Sequence, residues 1–170
     1  GEMGYDAVEL AHSYYGHDPA TWRKLLDDNG LRSCGMHMGL GALEGDNFDK
    51  TVESQKVIGS PYLIIASLPK KKLESVEAIT ETAKQFNEIA DRLKPHGMKI
   101  GYHCHGGDFA KVGDKTAWEI FGEKTNSDVL LQLDVGNCLG GNGDPIAMLK
   151  AFPGRSVTMH IKDHGGKPNF

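Results

Sequence analysis

Histidine, aspartate and lysine side chains follow several apolar stretches of this sequence, at positions where β-strands typically end. His103 and His105 share one face of a predicted strand, because side chains alternate between the two faces. Asp134 follows the largely apolar run VLLQL, and His160 and Lys162 share a face of the last predicted strand. Imidazole nitrogens and a carboxylate that converge from neighbouring strands suit Mn, Fe, Co or Zn, and less readily Mg. The residue types and their spacing therefore indicate a divalent-metal site.

Each of these residues also has a purely structural interpretation. A buried, unpaired Asp134 carboxylate would be costly, so it needs a metal, a cation such as Lys162, or backbone donors. In the structural alternative, His103 only orients another group, and Lys162 only pairs with Asp134 or Glu9. A single histidine near a strand end is more often a satisfied polar residue than a ligand. That interpretation is preferred for three other histidines: His12, His17 and His96.

The elements that must position these residues alternate along the whole chain. Short apolar runs predict strands, and stretches with apolar residues at the helical period predict helices between them. The first helix has a capping residue in Asp18, a first-turn proline in Pro19 and a terminating glycine in Gly30. The predicted strands cover residues 5–10, 31–40, 61–68, 99–105, 129–135 and 156–163, and the predicted helices cover 18–30, 46–59, 76–93, 116–124 and 144–152.

This alternation has a repeat of about 28 residues, which predicts right-handed βα units on one parallel sheet. An open doubly wound sheet and part of a (β/α)8 barrel both fit the pattern. The open sheet predicts a glycine-rich phosphate loop after the first strand, but residues 11–16 read AHSYYG. A complete eight-unit barrel needs about 250 residues, and this chain has 170. We therefore expect an incomplete barrel, with the ligand-binding edge at the carboxyl ends of its strands.

Composition excludes several classes of protein. Lys and Arg total 19 against 23 Asp and Glu, so the net charge of −4 argues against a nucleic-acid partner. No apolar run approaches the roughly 20 residues of a membrane span, and the first residues do not resemble a signal peptide. The three cysteines form no CxxC pair and indicate neither a disulfide framework nor a zinc knuckle, so a cytoplasmic location is expected. The lysines at 70–72 are interpreted as solvated surface.

Four segments together carry a resemblance to a known family. They are GYDAVEL at residues 4–10, YHCH at 102–105 followed by DF at 108–109, LDVGN at 133–137 and HIKD at 160–163. In order and spacing the chain resembles the xylose isomerase-like TIM barrels over essentially its full length. It is most similar to the sugar phosphate isomerase/epimerase family, which includes inosose dehydratases. Any one of these segments alone would be a weak signal.

The resemblance implies a single TIM-barrel domain over residues 1–170 that lacks the first strand and the last strand or strands of the barrel. It also implies a divalent metal, Mn, Mg, Co or Zn, at the top of the barrel, with Asp134 and His160 as ligands. Asp108 stands where this branch usually carries glutamate, so it would ligate with one methylene less reach. A further acidic ligand would come from a strand beyond residue 170.

The activity implied is a sugar isomerase, epimerase or dehydratase reaction on a keto-sugar, polyol or related carbohydrate through an enediolate. His103 and His105 are the candidate bases, and Lys162 is the candidate oxyanion stabiliser. Glu9 and His37, at the ends of the first two strands, are expected to bind substrate. The alternatives are a metal-dependent apurinic endonuclease-like repair enzyme and a non-catalytic sugar-binding barrel. No nucleic-acid or membrane partner is expected, and a homo-oligomer remains open.

Overall fold

The computed structural model describes residues 1–11 and 15–165, and a parallel sheet of six strands forms its centre. In spatial order the sheet reads β1, β2, β3, β4, β7, β8. Two further strands, β5 and β6, pair with each other as a small antiparallel hairpin. The strands are β1 (Ala7–Ala11), β2 (Arg32–Met38), β3 (Tyr62–Ile65), β4 (Lys99–His103), β5 (Lys111–Val112), β6 (Lys115–Thr116), β7 (Leu130–Asp134) and β8 (Met159–His160).

Helices connect successive strands of the parallel sheet. Several begin at a side chain that accepts a hydrogen bond from a backbone N–H of the first turn, namely Asp18, Ser75 and Thr116. In the described ranges, none of the helices has both the length and the apolar character that crossing a membrane requires. The helices are α1 (Pro19–Asp28), α2 (Asn47–Ile58), α3 (Val76–Leu93), α4 (Ala117–Lys124), α5 (Val135–Gly140) and α6 (Pro145–Ala151).

The apolar core lies between the sheet and this helical layer. One face of α3 is buried at the spacing that the sequence predicted, and Phe86 packs edge-on against Tyr102 of β4 and Phe121 of α4. Burial of each large apolar side chain contributes about 1.5–3 kcal/mol to stability. Because the helices cover one face of the sheet, the polar residues that point away from them gather on the other face.

The structure confirms the predicted α/β class and an incomplete TIM barrel, with some differences in its elements. The last strand is predicted over residues 156–163, but only Met159–His160 pairs with β7 as a strand. The hydroxyl of Ser156 donates to the carbonyl of Leu131, so a side chain occupies an acceptor that a ladder would use. Helix α5 and the β5–β6 hairpin were not predicted. The expected absence of the first and last barrel strands stays a prediction.

Arg155 is a buried cation that joins α4 to the start of β7. Its guanidinium donates hydrogen bonds to the carbonyls of Val129 and Gly122 and to the hydroxyl of Thr125. Burial lowers the pKa of Arg155 to about 10. No carboxylate of the described residues forms a salt bridge that would oppose this effect. Arg155 therefore acts as a structural clamp at the end of the sheet opposite to the candidate site.

Candidate functional site

Side chains from five strands converge on the uncovered face of the sheet, near the carboxyl ends of the strands. They are contributed by Glu9 of β1, His37 of β2, His103 of β4, Asp134 of β7 and His160 of β8. Ligand atoms of the three histidines lie within 4.8 Å of one another. The imidazole ring of His37 stacks on that of His160 with a centroid separation of 5.2 Å. The predicted convergence of strand-end residues is therefore present in the folded chain.

Asp134 is almost fully buried, and one oxygen of its carboxylate faces three nitrogen atoms. Its Oδ2 lies 3.8 Å from His103 Nε2, 3.8 Å from His160 Nδ1 and 3.6 Å from Lys162 Nζ. Its Oδ1 accepts a hydrogen bond from the backbone N–H of Asn137 and so caps α5. The first three separations are all longer than a hydrogen bond.

The spacing around Asp134 Oδ2 is similar to the spacing of ligand atoms around a bound ion. Ligand atoms held tetrahedrally at about 2.0–2.2 Å from one ion lie roughly 3.4 Å from each other. The two distances of 3.8 Å from Oδ2 to the ring nitrogens of His103 and His160 are close to that value. One carboxylate and two imidazoles also form the mixed oxygen and nitrogen donor set that suits Zn, Mn or Co. Both separations from Asp134 therefore fit a divalent ion, and His103 and His160 also belong, with His37, to the group of histidines whose ligand atoms lie within 4.8 Å of one another.

Glu9 holds two of the histidines in place. Its Oε2 accepts hydrogen bonds from His160 Nε2 at 2.6 Å and from His37 Nε2 at 3.2 Å, while its Oε1 accepts from Gln132 Nε2 at 2.7 Å. Burial by itself raises the pKa of Glu9, but these hydrogen bonds outweigh burial and lower it overall. Gly35 in the adjacent strand makes room for this carboxylate, because a Cβ there would lie 2.9 Å from Glu9 Oε1.

The environment of His103 keeps its ring neutral. Burial lowers the pKa of His103 to about 4, against the opposing effect of its hydrogen bond to the Gln132 oxygen, and the neighbouring imidazoles lower it further. His37 differs, because hydrogen bonds to Glu9 and Gln132 outweigh its burial and raise its pKa. A neutral imidazole is the form that binds a metal. His103 is therefore electrostatically suited to ligation, and His37 is engaged with Glu9 and Gln132 through its Nε2.

Lys162 reaches the site by crossing the first turn of α5. Its Nζ donates to Asn137 Oδ1 at 2.8 Å, and the amide of Asn137 in turn donates to the carbonyl of Cys104. Gly136 makes this path available, since a Cβ there would lie 2.6 Å from two carbons of the Lys162 side chain. The Lys162 ammonium is thus held beside Asp134 by a neutral amide.

Asp108 and His105 lie at one side of this cluster. Asp108 Oδ2 accepts hydrogen bonds from the hydroxyl of Tyr102 and the backbone N–H of His105, at 2.9 and 2.7 Å. Tyr102 packs among the core aromatics, so these contacts place Asp108 towards the helical layer, and burial raises its pKa. Its assignment as a metal ligand stays a prediction. His105 is exposed, and its ring centroid lies 5.2 Å from that of His103.

A cavity of about 560 Å³ opens beside His105, between the connections that follow β3 and β4. Its wall is largely apolar, with Leu68 and Leu73 on one side and Val112 on the other. A cavity of this size is adequate for a small-molecule ligand. Its lining includes His105, whose ring lies beside that of His103, so His105 connects the cavity to the histidine cluster.

Two polar residues of the site, Gln132 and Asn137, were not singled out by the sequence analysis. The sequence did indicate a role for Gln132, because an amide side chain within an otherwise apolar buried strand must have hydrogen-bond partners. Asn137 lies in α5, which was itself not predicted. Of the other histidines, His17 and His96 contact Trp22 and Phe48 rather than the cluster, and His12 lies outside the described residues.

A parallel βα sheet that gathers its polar residues at the carboxyl ends of the strands has the architecture of TIM-barrel proteins. The family model described as xylose isomerase-like TIM barrel matches residues 1–169, and the chain belongs to that family.

Individual relatives share this fold at low sequence identity. The chain is 24% identical to an inosose dehydratase from Geobacillus kaustophilus over 184 residues, which cover 95% of this chain and 59% of that protein. A sugar phosphate isomerase/epimerase from Parabacteroides distasonis superimposes with a TM-score of 0.83 at 24% identity, covering 95% of this chain and 66% of that one. An AP endonuclease, family 2, from Brucella melitensis superimposes with a TM-score of 0.71 at 20% identity, covering 93% and 69%. The chain thus spans about 60% of the length of the curated relatives it matches.

Proposed function

We propose that this protein is a metal-dependent isomerase, epimerase or dehydratase that acts on a small keto-sugar or polyol. The observation that carries the proposal is the position of Asp134 Oδ2, which lies 3.8 Å from both His103 Nε2 and His160 Nδ1 at the ligand-binding edge of the barrel. The resemblance to an inosose dehydratase and to a sugar phosphate isomerase/epimerase supports the reaction class. Keto-inositols are accordingly the first substrates to test.

Asp134, His103 and His160 would hold the metal ion. A bound divalent ion supplies a Lewis acid that polarises a carbonyl oxygen and orients neighbouring hydroxyls. Glu9 would orient one of these ligands without binding the metal itself. It accepts a short hydrogen bond from His160 Nε2, which directs Nδ1 of the same ring towards Asp134. The three hydrogen bonds that Glu9 accepts favour this supporting role over direct contact with substrate.

His105 is the proposed general base. It is exposed, it borders the cavity and it lies beside His103, so it can accept a proton from the carbon next to a substrate carbonyl. Lys162 would donate a hydrogen bond to the oxygen on which negative charge develops, since Asn137 holds its ammonium beside Asp134. The geometry favours His103 as a ligand rather than as a second base.

Two other functions compete with this proposal. The first is a DNA repair nuclease, which the similarity to the Brucella melitensis structure raises as an alternative. A net charge of −4 is unfavourable for binding a phosphate backbone. A non-catalytic sugar-binding barrel would need neither the metal ligands nor a base. Elemental analysis of the purified protein, followed by assays on keto-inositols, keto-sugars and abasic DNA, separates the three. Less than stoichiometric metal together with no turnover of the carbohydrate panel would overturn the proposal. The cytoplasmic location and the oligomeric state stay predictions.

Replacing His105 with alanine is expected to lower kcat by about 10²-fold, because the proton acceptor is lost. Metal affinity should change little, since His105 is exposed and is not one of the three proposed ligands. Steady-state kinetics and a Co²⁺ titration measure the two quantities separately. The control is His96→Ala, at an exposed histidine outside the cluster. An unaltered kcat in His105→Ala would refute the assignment of the base.

Replacing Gly136 with alanine is expected to lower kcat by about 10- to 100-fold through displacement of Lys162. The new Cβ would overlap the side-chain carbons of Lys162 and push its ammonium away from Asp134. Since Lys162 is partly exposed, its side chain can move outward, and the urea midpoint should change little. Gly39→Ala is the matched control, because a Cβ at Gly39 meets open space and its φ of −80° is ordinary. Equal kcat values for the two variants would rule out this role of Gly136.

A further inference from the structure

Gln132 is a buried amide at the centre of the site, two residues before Asp134 on β7. Its carbonyl oxygen Oε1 lies 2.7 Å from His37 Nε2 and 2.9 Å from His103 Nδ1. Its amide nitrogen Nε2 donates to Glu9 Oε1 at 2.7 Å and to Thr158 Oγ1 at 2.9 Å. Every hydrogen-bonding position of this side chain is therefore used.

The orientation of the Gln132 amide follows from the chemistry of its neighbours. The Glu9 carboxylate only accepts hydrogen bonds, so the atom of Gln132 that faces it must be the NH₂ group. The amide oxygen consequently faces the two histidines, and this oxygen also only accepts. His37 Nε2 and His103 Nδ1 must then each carry a proton.

For His103 this protonation decides which nitrogen is available to a metal. With the proton on Nδ1, the neutral ring has its lone pair on Nε2, and Nε2 is the atom that lies 3.8 Å from Asp134 Oδ2. The opposite tautomer would present an N–H group to the position of the ion and would leave the oxygen of Gln132 without this donor. The same amide also donates a hydrogen bond to Glu9, and Glu9 in turn accepts the hydrogen bond from His160.

We propose that Gln132 is a positioning residue that sets the tautomer of His103 and, through Glu9, the orientation of His160 for metal binding. This inference rests on the proposed function in so far as it concerns a metal. The competing explanation is that Gln132 only satisfies buried polar groups. In that case its removal would lower stability but would leave the tautomer of His103 and the intrinsic metal affinity unchanged.

The first experiment is an NMR measurement of imidazole nitrogen shifts in the metal-free protein, with His103 assigned by substitution. His103 is expected in the Nδ1–H form in the wild-type protein and in a mixture of both forms in Gln132→Met. A Co²⁺ titration, followed by the absorption of the bound ion, is expected to give an affinity about 10- to 100-fold lower in Gln132→Met. Gln55→Met is the control, because Gln55 is a buried glutamine in α2.

The second experiment exchanges the two partners in the double variant Glu9→Gln/Gln132→Glu. The exchange keeps the net charge and a carboxylate–amide hydrogen bond, and it again gives His103 and His37 an oxygen acceptor. The His103 tautomer and the Co²⁺ affinity are therefore expected to recover towards the wild-type values. This variant and the wild-type spectrum keep the proposal testable if Gln132→Met fails to fold.

The outcomes separate this proposal from the proposed function. An Nε2–H tautomer of His103 in the wild-type protein would overturn the role of Gln132, as would a Gln132→Met variant with unchanged tautomer and Co²⁺ affinity. If the wild-type protein bound no Co²⁺, the proposed function would fail instead. The metal-free spectra would then still decide whether Gln132 sets the tautomer.

Discussion

Asp134→Asn is expected to lower metal affinity by more than about 10²-fold and kcat/KM by about 10³-fold. Asparagine keeps the shape of the side chain and an oxygen that can accept from the backbone N–H of Asn137, so the cap of α5 is preserved. It removes the negative charge that faces His103, His160 and Lys162. The loss should therefore fall on the site rather than on the fold.

Calorimetric titration with Zn²⁺ or Co²⁺ and steady-state kinetics measure these two effects. Asp128→Asn is the matched control, because Asp128 is a partly exposed aspartate whose carboxylate pairs with Lys94 and Lys99 outside the site. Exposed ion pairs contribute little to stability, so this control should retain both activity and fold. If Asp134→Asn bound metal as tightly as the control, Asp134 would not be a ligand.

Arg155→Met is expected to lower the free energy of unfolding by about 3 kcal/mol or more. The substitution keeps much of the apolar volume but leaves the carbonyls of Val129 and Gly122 without the donors that now satisfy them. Burial makes this loss expensive, since water cannot readily replace the guanidinium. Urea unfolding followed by circular dichroism measures the change.

Arg32→Met is the control for this stability prediction, because Arg32 begins β2 with an exposed side chain. Substitution of an exposed residue of this kind usually changes stability by less than about 0.5 kcal/mol. Arg155→Lys adds a graded test, as lysine keeps the charge but cannot reproduce the fork of N–H groups. Equal unfolding midpoints for the Arg155→Met and Arg32→Met variants would show that the clamp does not stabilise the fold.

The repeating elements of the fold could be predicted from sequence because their patterns are local. The buried stripe of α3 and the side-chain cap of α1 at Asp18 can both be recognised within a few turns of helix. Helix α5 was not predicted, because it spans only residues 135–140 and includes Gly136 and Gly140. It therefore has neither a periodic apolar stripe nor residues of high helix propensity. The hairpin at residues 111–116 has two strands of two residues each, too short for any alternation to be visible.

The candidate site was predictable to the extent that it depends on strand ends and on the alternation of faces. Asp134, His103 and His160 meet because each lies at an inward position near the carboxyl end of its strand. The sequence does not report which side chains then bond to one another across the sheet. Glu9 was expected to bind substrate, yet its oxygens accept hydrogen bonds from His160, His37 and Gln132, and its substrate role stays a prediction.

The hydrogen bond between Glu9 and His160 joins the two outermost strands of the sheet, and its partners are 151 residues apart in the chain. Such a contact can form only after the intervening strands have paired and the sheet has curved. The entropy lost in closing this long loop is therefore compensated only late in folding. Local helices can form and dissolve many times before that closure. We therefore expect the geometry of the candidate site to form late in folding, so that a partly folded chain with most of its secondary structure would still lack the assembled site.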